Sequence, residues 1–273
     1  MKELHTRTIW GFLFATVLTA AILWGPLSFA ILFLILAFYA LNEFYTLCRE
    51  AGYSPQVYPA LATGTIIFIL SYLSANQSLD YKSFIYLLPL IYASPVYELF
   101  RKKKDPIVNL ALTAFGLIYV TIPFSLLNFL AFHQTEGLIN YHYELLISLF
   151  IFVWASDSGA YLLGVRFGRH RLFERISPKK SWEGLIGGVV TALIAAWILS
   201  FIFPHYSPIL LAIMAMLVVI AGTFGDLVES MIKRSIGVKD SGKFMPGHGG
   251  LLDRFDSILL ASPVIYFVVR FFL

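Results

Sequence analysis

The sequence predicts an all-α, polytopic integral membrane protein of about nine transmembrane helices, joined on one face by polar loops fit for chemistry. Three observations carry this. Of 273 residues 59% are hydrophobic and 13% charged, whereas a soluble domain carries about 25% charge. Mean hydropathy is +0.78. The apolar residues fall into runs near the roughly 20 residues that cross a bilayer. The 25 Phe and 15 Tyr suit a helical core with aromatic belts at the interfaces. Cys48 is the only cysteine, which excludes an intramolecular disulfide and argues against a thiolate metal site; it reads as a small apolar residue near a helix end.

The apolar segments, in order, are 9–25, 27–47, 57–74, 83–100, 107–132, 143–164, 184–203, 208–232 and 256–272. Lys2 and Arg7 before the first run give it the look of a secretory leader. The run is long for one and another follows at once, so a retained first helix is expected. Gly25-Pro26 is read as a tight turn between the first two segments; a single helix there would reduce the count to eight. Pro26, Pro106 and Pro204 stand at joints, where a missing N–H does least harm. The chain reads as a single transmembrane domain, with 1–142 as scaffold and 143–273 carrying the catalytic helices and loops.

With the N-terminus inside, this map places every Lys and Arg except Lys82 and Arg270 on the inner face. Loops rich in Lys and Arg stay cytoplasmic. The expectation is a bacterial inner-membrane protein with N-terminus and polar loops in the cytoplasm and C-terminus outside. The run Arg101 to Lys104 reads as a topology anchor. The polar connection from His133 to Tyr143 lacks basic residues and belongs outside.

Two inner connections are more than turns. In the second, Asp226, Glu229, Ser230 and Lys233 recur at i, i+3, i+4 and i+7 and share one helix face. Asp253 and Asp256 open the last apolar run and also share a face. Acids favour a helix N-terminus for its dipole alone, but that does not explain a second acidic face on the same side of the membrane. Clustered carboxylates repel unless a cation joins them, and hard oxygen donors without thiols or paired histidines point to Mg²⁺. Lys233, Arg234, Lys239, Lys243 and Arg254 surround the turn Pro246-Gly247-His248-Gly249-Gly250. Its glycines let backbone N–H groups approach an anion. His248 is read either as a satisfied loop histidine or as a phosphate donor.

The other inner loop follows Trp154 with Asp157, then Arg166, Arg169, Arg171 and Arg175, then Ser177-Pro178-Lys179-Lys180-Ser181-Trp182-Glu183-Gly184. The arginines read as basic surface. Ser177 before Pro178 reads as an N-cap with Pro at N1, aiming a helix N-terminus, Lys179 and Lys180 at one anion.

The blocks Ser230-Met231-Ile232-Lys233-Arg234, Lys239-Asp240-Ser241-Gly242 and Pro246 through Gly249-Gly250-Leu251-Leu252-Asp253-Arg254-Phe255-Asp256 resemble the signature of the phosphatidate cytidylyltransferase (CDP-diacylglycerol synthase) family. Ser177 to Gly184 and Gly225 to Ser230 resemble further blocks of that family, while residues of the N-terminal half match only in being hydrophobic. Ser181 stands where that pattern often has Thr. The resemblance implies a nucleotidyltransferase that joins CTP and phosphatidic acid to give CDP-diacylglycerol and pyrophosphate. It also implies Mg²⁺, a second, monovalent cation, cation binding by Asp226, Asp253 and Asp256, and a homodimer. Membrane lipid is a partner and nucleic acid is not. On this reading Lys233, Lys239 and Lys243, with the Gly247 to Gly250 backbone, hold the CTP phosphates. Lys179, Lys180 and Arg234 hold the lipid phosphate or pyrophosphate, with Ser230, Asp240, His248 and Arg254 near the substrates. Two other readings stay open on the residues alone: a CTP-dependent polyprenol kinase, which would release CDP, and a transporter or channel, against which the one-sided clustering of acids argues. A scaffold that only binds anionic lipid leaves the glycine turn unexplained.

Overall fold

A computed structural model describes residues 2–135, 138–238, 240–242, 244 and 249–272. The chain is an all-α polytopic membrane protein. Among the described residues eight stretches are long and apolar enough to span a bilayer: Pro26–Glu50, Val57–Ala75, Tyr81–Arg101, Pro106–Ala131, Tyr143–Phe167, Trp182–Ile202, Pro208–Ile236 and Leu252–Phe272. Ile9–Trp24 is a shorter apolar helix. The turn expected at Gly25-Pro26 is present: helix α1 (Lys2–Trp24) ends before Gly25, whose φ of 150° suits glycine, and Pro26 opens α2 (Pro26–Glu50).

The chain forms two compact units, one of Met1–Tyr141 with Ser235–Arg254 and the other of His142–Arg234 with Phe255–Leu273. This differs from a division at residue 142, because the glycine-turn segment 235–254 groups with the N-terminal helices. The physical reason is a set of hydrogen bonds from that segment to α2, described below.

The first unit continues with α3 (Val57–Ala75), a 3-10 turn (Tyr81–Leu87) running into α4 (Leu88–Arg101), and α5 (Pro106–Gly116). A π-helical stretch (Leu117–Thr121) joins α5 to α6 (Ile122–Ala131). Gly116 admits the Tyr45 ring, which a Cβ would meet at 2.7 Å, and the Tyr45 hydroxyl donates to the Thr113 carbonyl at 2.7 Å. Buried Glu98 accepts from Arg101 at 2.8 Å, from Gln56 at 2.7 Å and from Asn109 at 3.3 Å. Arg101 is thus a structural partner as well as one of a basic run, since a buried carboxylate left alone would be costly. The connection expected to be merely polar after α6 contains a hairpin, β1 (Phe132–Thr135) with β2 (Leu138–Tyr141), in register Phe132↔Tyr141. Tyr141 donates to the Ile22 carbonyl at 2.7 Å, fastening the hairpin to α1.

The second unit comprises α7 (Tyr143–Phe167), the strands β3 (Arg171–Phe173) and β4 (Ser177–Ser181), α8 (Trp182–Ile202), most of α9 (Pro208–Ile236) and the bulk of α10 (Leu252–Phe272). Helices α7 and α8 meet backbone to backbone along a glycine seam. A Cβ on Gly159 would fall 2.6 Å from the Gly187 carbonyl, and one on Gly184 3.0 Å from that of Ala160. Small residues are how membrane helices pack closely when lipid offers no hydrophobic drive. Thr191 crosses the seam to the Ala155 carbonyl at 2.8 Å.

Candidate active site

The second unit encloses a cavity of about 340 Å³. Ser156, Asp157, Ala160 and Tyr161 of α7 form one wall, and Gly222, Thr223 and Asp226 of α9 another. Lys179, Lys180 and Ser181 of β4 close the polar end, while Val153, Leu172, Leu185 and Val218 supply an apolar lining.

The basic residues reach the cavity by a route other than the expected one. Ser177 is not an N-cap: Ser177–Ser181 is a strand, paired antiparallel with β3 in register Arg171↔Ser181 and Phe173↔Ser177. The cap of α8 is Ser181, whose hydroxyl accepts from Gly184 N at 3.1 Å. Both serines suit a cap by type. The choice is made by the hairpin, held by Trp182 N donating to the His170 carbonyl at 3.0 Å and by His170 Nδ1 lying 2.6 Å from Glu183 Oε1. Pro178 is tolerated in a two-stranded ribbon because each strand is an edge. The lysines therefore stand on the strand that precedes the helix, immediately before its capped N-terminus.

At the polar end Lys180 Nζ lies 2.5 Å from Asp226 Oδ2, and the Ser230 hydroxyl donates to Asp226 Oδ1 at 3.2 Å. The expected shared face of α9 is real. Asp256, at the start of α10, feels the charges of Asp226, Asp157 and Lys180, and its Oδ1 accepts from Ser257 N at 2.6 Å. Helix α9 comes this close because Gly225 has no Cβ; one there would strike the Asp256 carbonyl. Asp226 thus pairs with Lys180, whose charge also reaches Asp256, and Lys179 is exposed beside it. Asp157 was legible as an acid interrupting an apolar run, the usual mark of a functional group inside a membrane. Among the described residues no group of three or more His, Cys, Asp or Glu side chains is assembled to hold a metal ion.

The remaining predicted residues divide. Lys233 lies 2.5 Å from Glu229 Oε2, both largely buried, so its charge is engaged one turn along its own helix. Arg234 is exposed. In the first unit Asp253 Oδ2 accepts from Ser241 N at 3.0 Å, from the Ser241 hydroxyl at 3.1 Å and from Gly250 N at 2.8 Å. Gly249 takes φ +82°, and a Cβ on it would lie 2.5 Å from Asp253 Oδ2. Asp240 and Arg254 are exposed at the edges of this turn. Lys239, Lys243, Gly247 and His248 lie outside the described residues. The turn also has a partner that sequence reasoning passed over: Glu43 of α2, whose Oε2 accepts from Leu252 N at 3.0 Å and the Ser241 hydroxyl at 3.4 Å. A lone acid inside the run 27–47 was the available signal.

The model of a family described as the cytidylyltransferase family matches residues 5–272. A phosphatidate cytidylyltransferase of Staphylococcus haemolyticus is 34% identical over 269 residues, covering 96% of this chain and 97% of that protein. One of Bacillus subtilis is 32% identical over 281 residues, covering 100% of both. One of Haemophilus influenzae is 43% identical over 182 residues, covering 62% of this chain and 60% of that protein.

Proposed function

We propose, from the premise that the chain belongs to the cytidylyltransferase family, that it transfers CMP from CTP to phosphatidic acid, giving CDP-diacylglycerol and pyrophosphate in phospholipid synthesis. It is a nucleotidyltransferase. The observation that carries the reading is the cavity, largely apolar in its lining, in which Lys180 meets Asp226 and Lys179 also lines the wall. A charged phosphate on an acyl glycerol has that polarity.

An oxygen of the lipid phosphate attacks the α-phosphorus of CTP, the bond from that phosphorus to the bridging oxygen breaks, and pyrophosphate leaves with the electron pair. A phosphomonoester has a second pKa of about 6, so the nucleophile is mostly dianionic at neutral pH and needs no strong protein base. The barrier lies in bringing two polyanions together, which is a matter of position and charge. Lys180 and Lys179 receive the lipid phosphate or the leaving pyrophosphate. Lys180 must then exchange Asp226 for substrate. Lys239 and Lys243, with the Gly247 to Gly250 backbone, are assigned to the CTP phosphates, and Arg234 adds positive charge.

Mg²⁺ is proposed as the cofactor, because Asp226 and Asp256 offer hard oxygen donors with too little protein cation to neutralise them. Mg²⁺ commonly takes one or two carboxylates and completes its shell with water and phosphate oxygens, which fits a site without three assembled protein ligands. When bound it would supply neutralisation of the phosphate charge. Asp253 is given a different part here, holding the turn, because one of its oxygens is already filled by three donors. A second, monovalent cation, a homodimer, and a cytoplasmic-membrane location with the N-terminus inside belong to the same proposal; the charge asymmetry of the loops supports the last.

The test is purified protein with Mg²⁺, phosphatidic acid and CTP labelled at the α-phosphate. Label in lipid together with pyrophosphate in solution is expected. Release of CDP would mark a lipid kinase, and solute flux in liposomes without CTP a transporter.

A further inference from the structure

Glu43 sits in a helix otherwise lined here by buried Leu41, Phe44 and Tyr45. A charge there is expensive and is kept when it has partners or work. Its partners lie some two hundred positions on. The N–H of Leu252 is among the first-turn donors of α10, which have no acceptor within the helix, and Glu43 Oε2 takes it at 3.0 Å. Its negative charge also suits the positive end of the helix. The same oxygen lies 3.4 Å from the Ser241 hydroxyl. Ser241 has one hydroxyl hydrogen and two carboxylates beside it, so Glu43 of α2 and Asp253 of α10 converge on the same residue.

The glycines complete the clasp. A Cβ on Gly242 would stand 2.6 Å from Glu43 Oε1, and one on Gly250 2.6 Å from Glu43 Oε2 and 2.7 Å from the Gly242 backbone nitrogen. These two positions lack side chains because the Glu43 carboxylate occupies the space between them.

We infer that Glu43 is a positioning residue for the transfer reaction, holding Ser241 and the Gly250–Leu252 backbone in the arrangement that receives the nucleotide. The inference rests on the reaction proposed above, and its test separates the two. Full-length parent, Glu43→Gln and Glu43→Ala proteins are purified in detergent, and the Michaelis constants for CTP and phosphatidic acid are measured separately. Amide hydrogen exchange is followed by mass spectrometry across residues 241–254 and across α3 and α8. With Glu43→Ala, KM for CTP rises at least about tenfold, KM for phosphatidic acid stays within about twofold, and exchange in 241–254 accelerates at least about tenfold with α3 and α8 unchanged. Glu43→Gln keeps one acceptor oxygen and gives intermediate values, about threefold in both readouts. Unchanged exchange in 241–254, equal acceleration in all segments, or equal rises in both KM values would overturn the role. If Glu43→Ala does not fold, the isosteric Gln variant decides, and parental exchange in its 241–254 segment would refute the inference. A parent that makes no CDP-diacylglycerol defeats the proposed reaction alone, because the exchange comparison still tests the clasp.

Discussion

Two acid-bearing regions contrast in what holds their carboxylates. In the cavity of the second unit, Asp226 is met by side chains, Lys180 on one oxygen and Ser230 on the other. In the glycine turn of the first unit, Asp253 is met on one oxygen by two backbone N–H groups and a hydroxyl, and Glu43 by a third backbone N–H. Side-chain partners rotate away when a better ligand arrives, while backbone donors move only with the loop. The cavity is therefore built to exchange partners and the turn to keep them. On the proposed reaction, Asp226 and Asp256 take part in the chemistry, while Asp253 and Glu43 set the shape of the loop.

The largest effect should come from removing charge in the exchanging region. Asp256→Asn or Asp226→Asn should lower kcat by about 10²–10³, the range for losing one electrostatic contact made in the transition state, and raise the Mg²⁺ concentration for half-maximal pyrophosphate release. If Asp253→Asn raised that concentration equally while the other two did not, the division drawn here would be reversed. Next in size, Lys180→Ala should raise KM for phosphatidic acid by about 10–100-fold, since a charge-assisted hydrogen bond contributes about 1.5–3 kcal/mol. Initial rates at varied lipid in mixed micelles would show it, and an unchanged lipid KM would remove Lys180 from the headgroup site. Asp253→Asn should act more mildly, raising KM for CTP about tenfold, one hydrogen bond's worth, with the Mg²⁺ response unaltered.

How much of this was legible in the sequence follows from the range of each interaction. The spans were readable because each is a local matter of twenty apolar residues, and Gly25-Pro26 because glycine and proline punctuate a helix locally. The shared face of Asp226, Ser230 and Lys233 was readable from helical period. The partner of Lys233 was also in that period: Glu229 stands one turn before it, and an i, i+4 neighbour competes first for a lysine. Glu43 with Leu252 was not readable, since no period links residues 209 positions apart. The strand at Ser177–Ser181 was hidden for a related reason. Ser-Pro is a strong local helix start, and only pairing with Arg171–Phe173 overrides it.

That override yields the smallest and cleanest expectation. If Ser181 caps α8, Ser181→Ala removes the acceptor for Gly184 N and should cost about 1 kcal/mol, the usual cost of losing a helix N-cap. Ser177→Ala removes no cap and should be close to neutral. Thermal unfolding of the two proteins in one detergent makes the comparison direct, with Ser181→Ala melting a few degrees lower and Ser177→Ala matching the parent. Ser181→Thr should match it too, because threonine also caps. The buried hydroxyl also stands where a Cβ on Gly164 would come within 3.6 Å, so a Thr variant that melts as low as Ala would locate the fault in packing of the extra methyl. Equal losses at positions 177 and 181 would instead say that the hairpin, and with it the placement of Lys179 and Lys180 on the cavity, is not the arrangement that holds in the membrane.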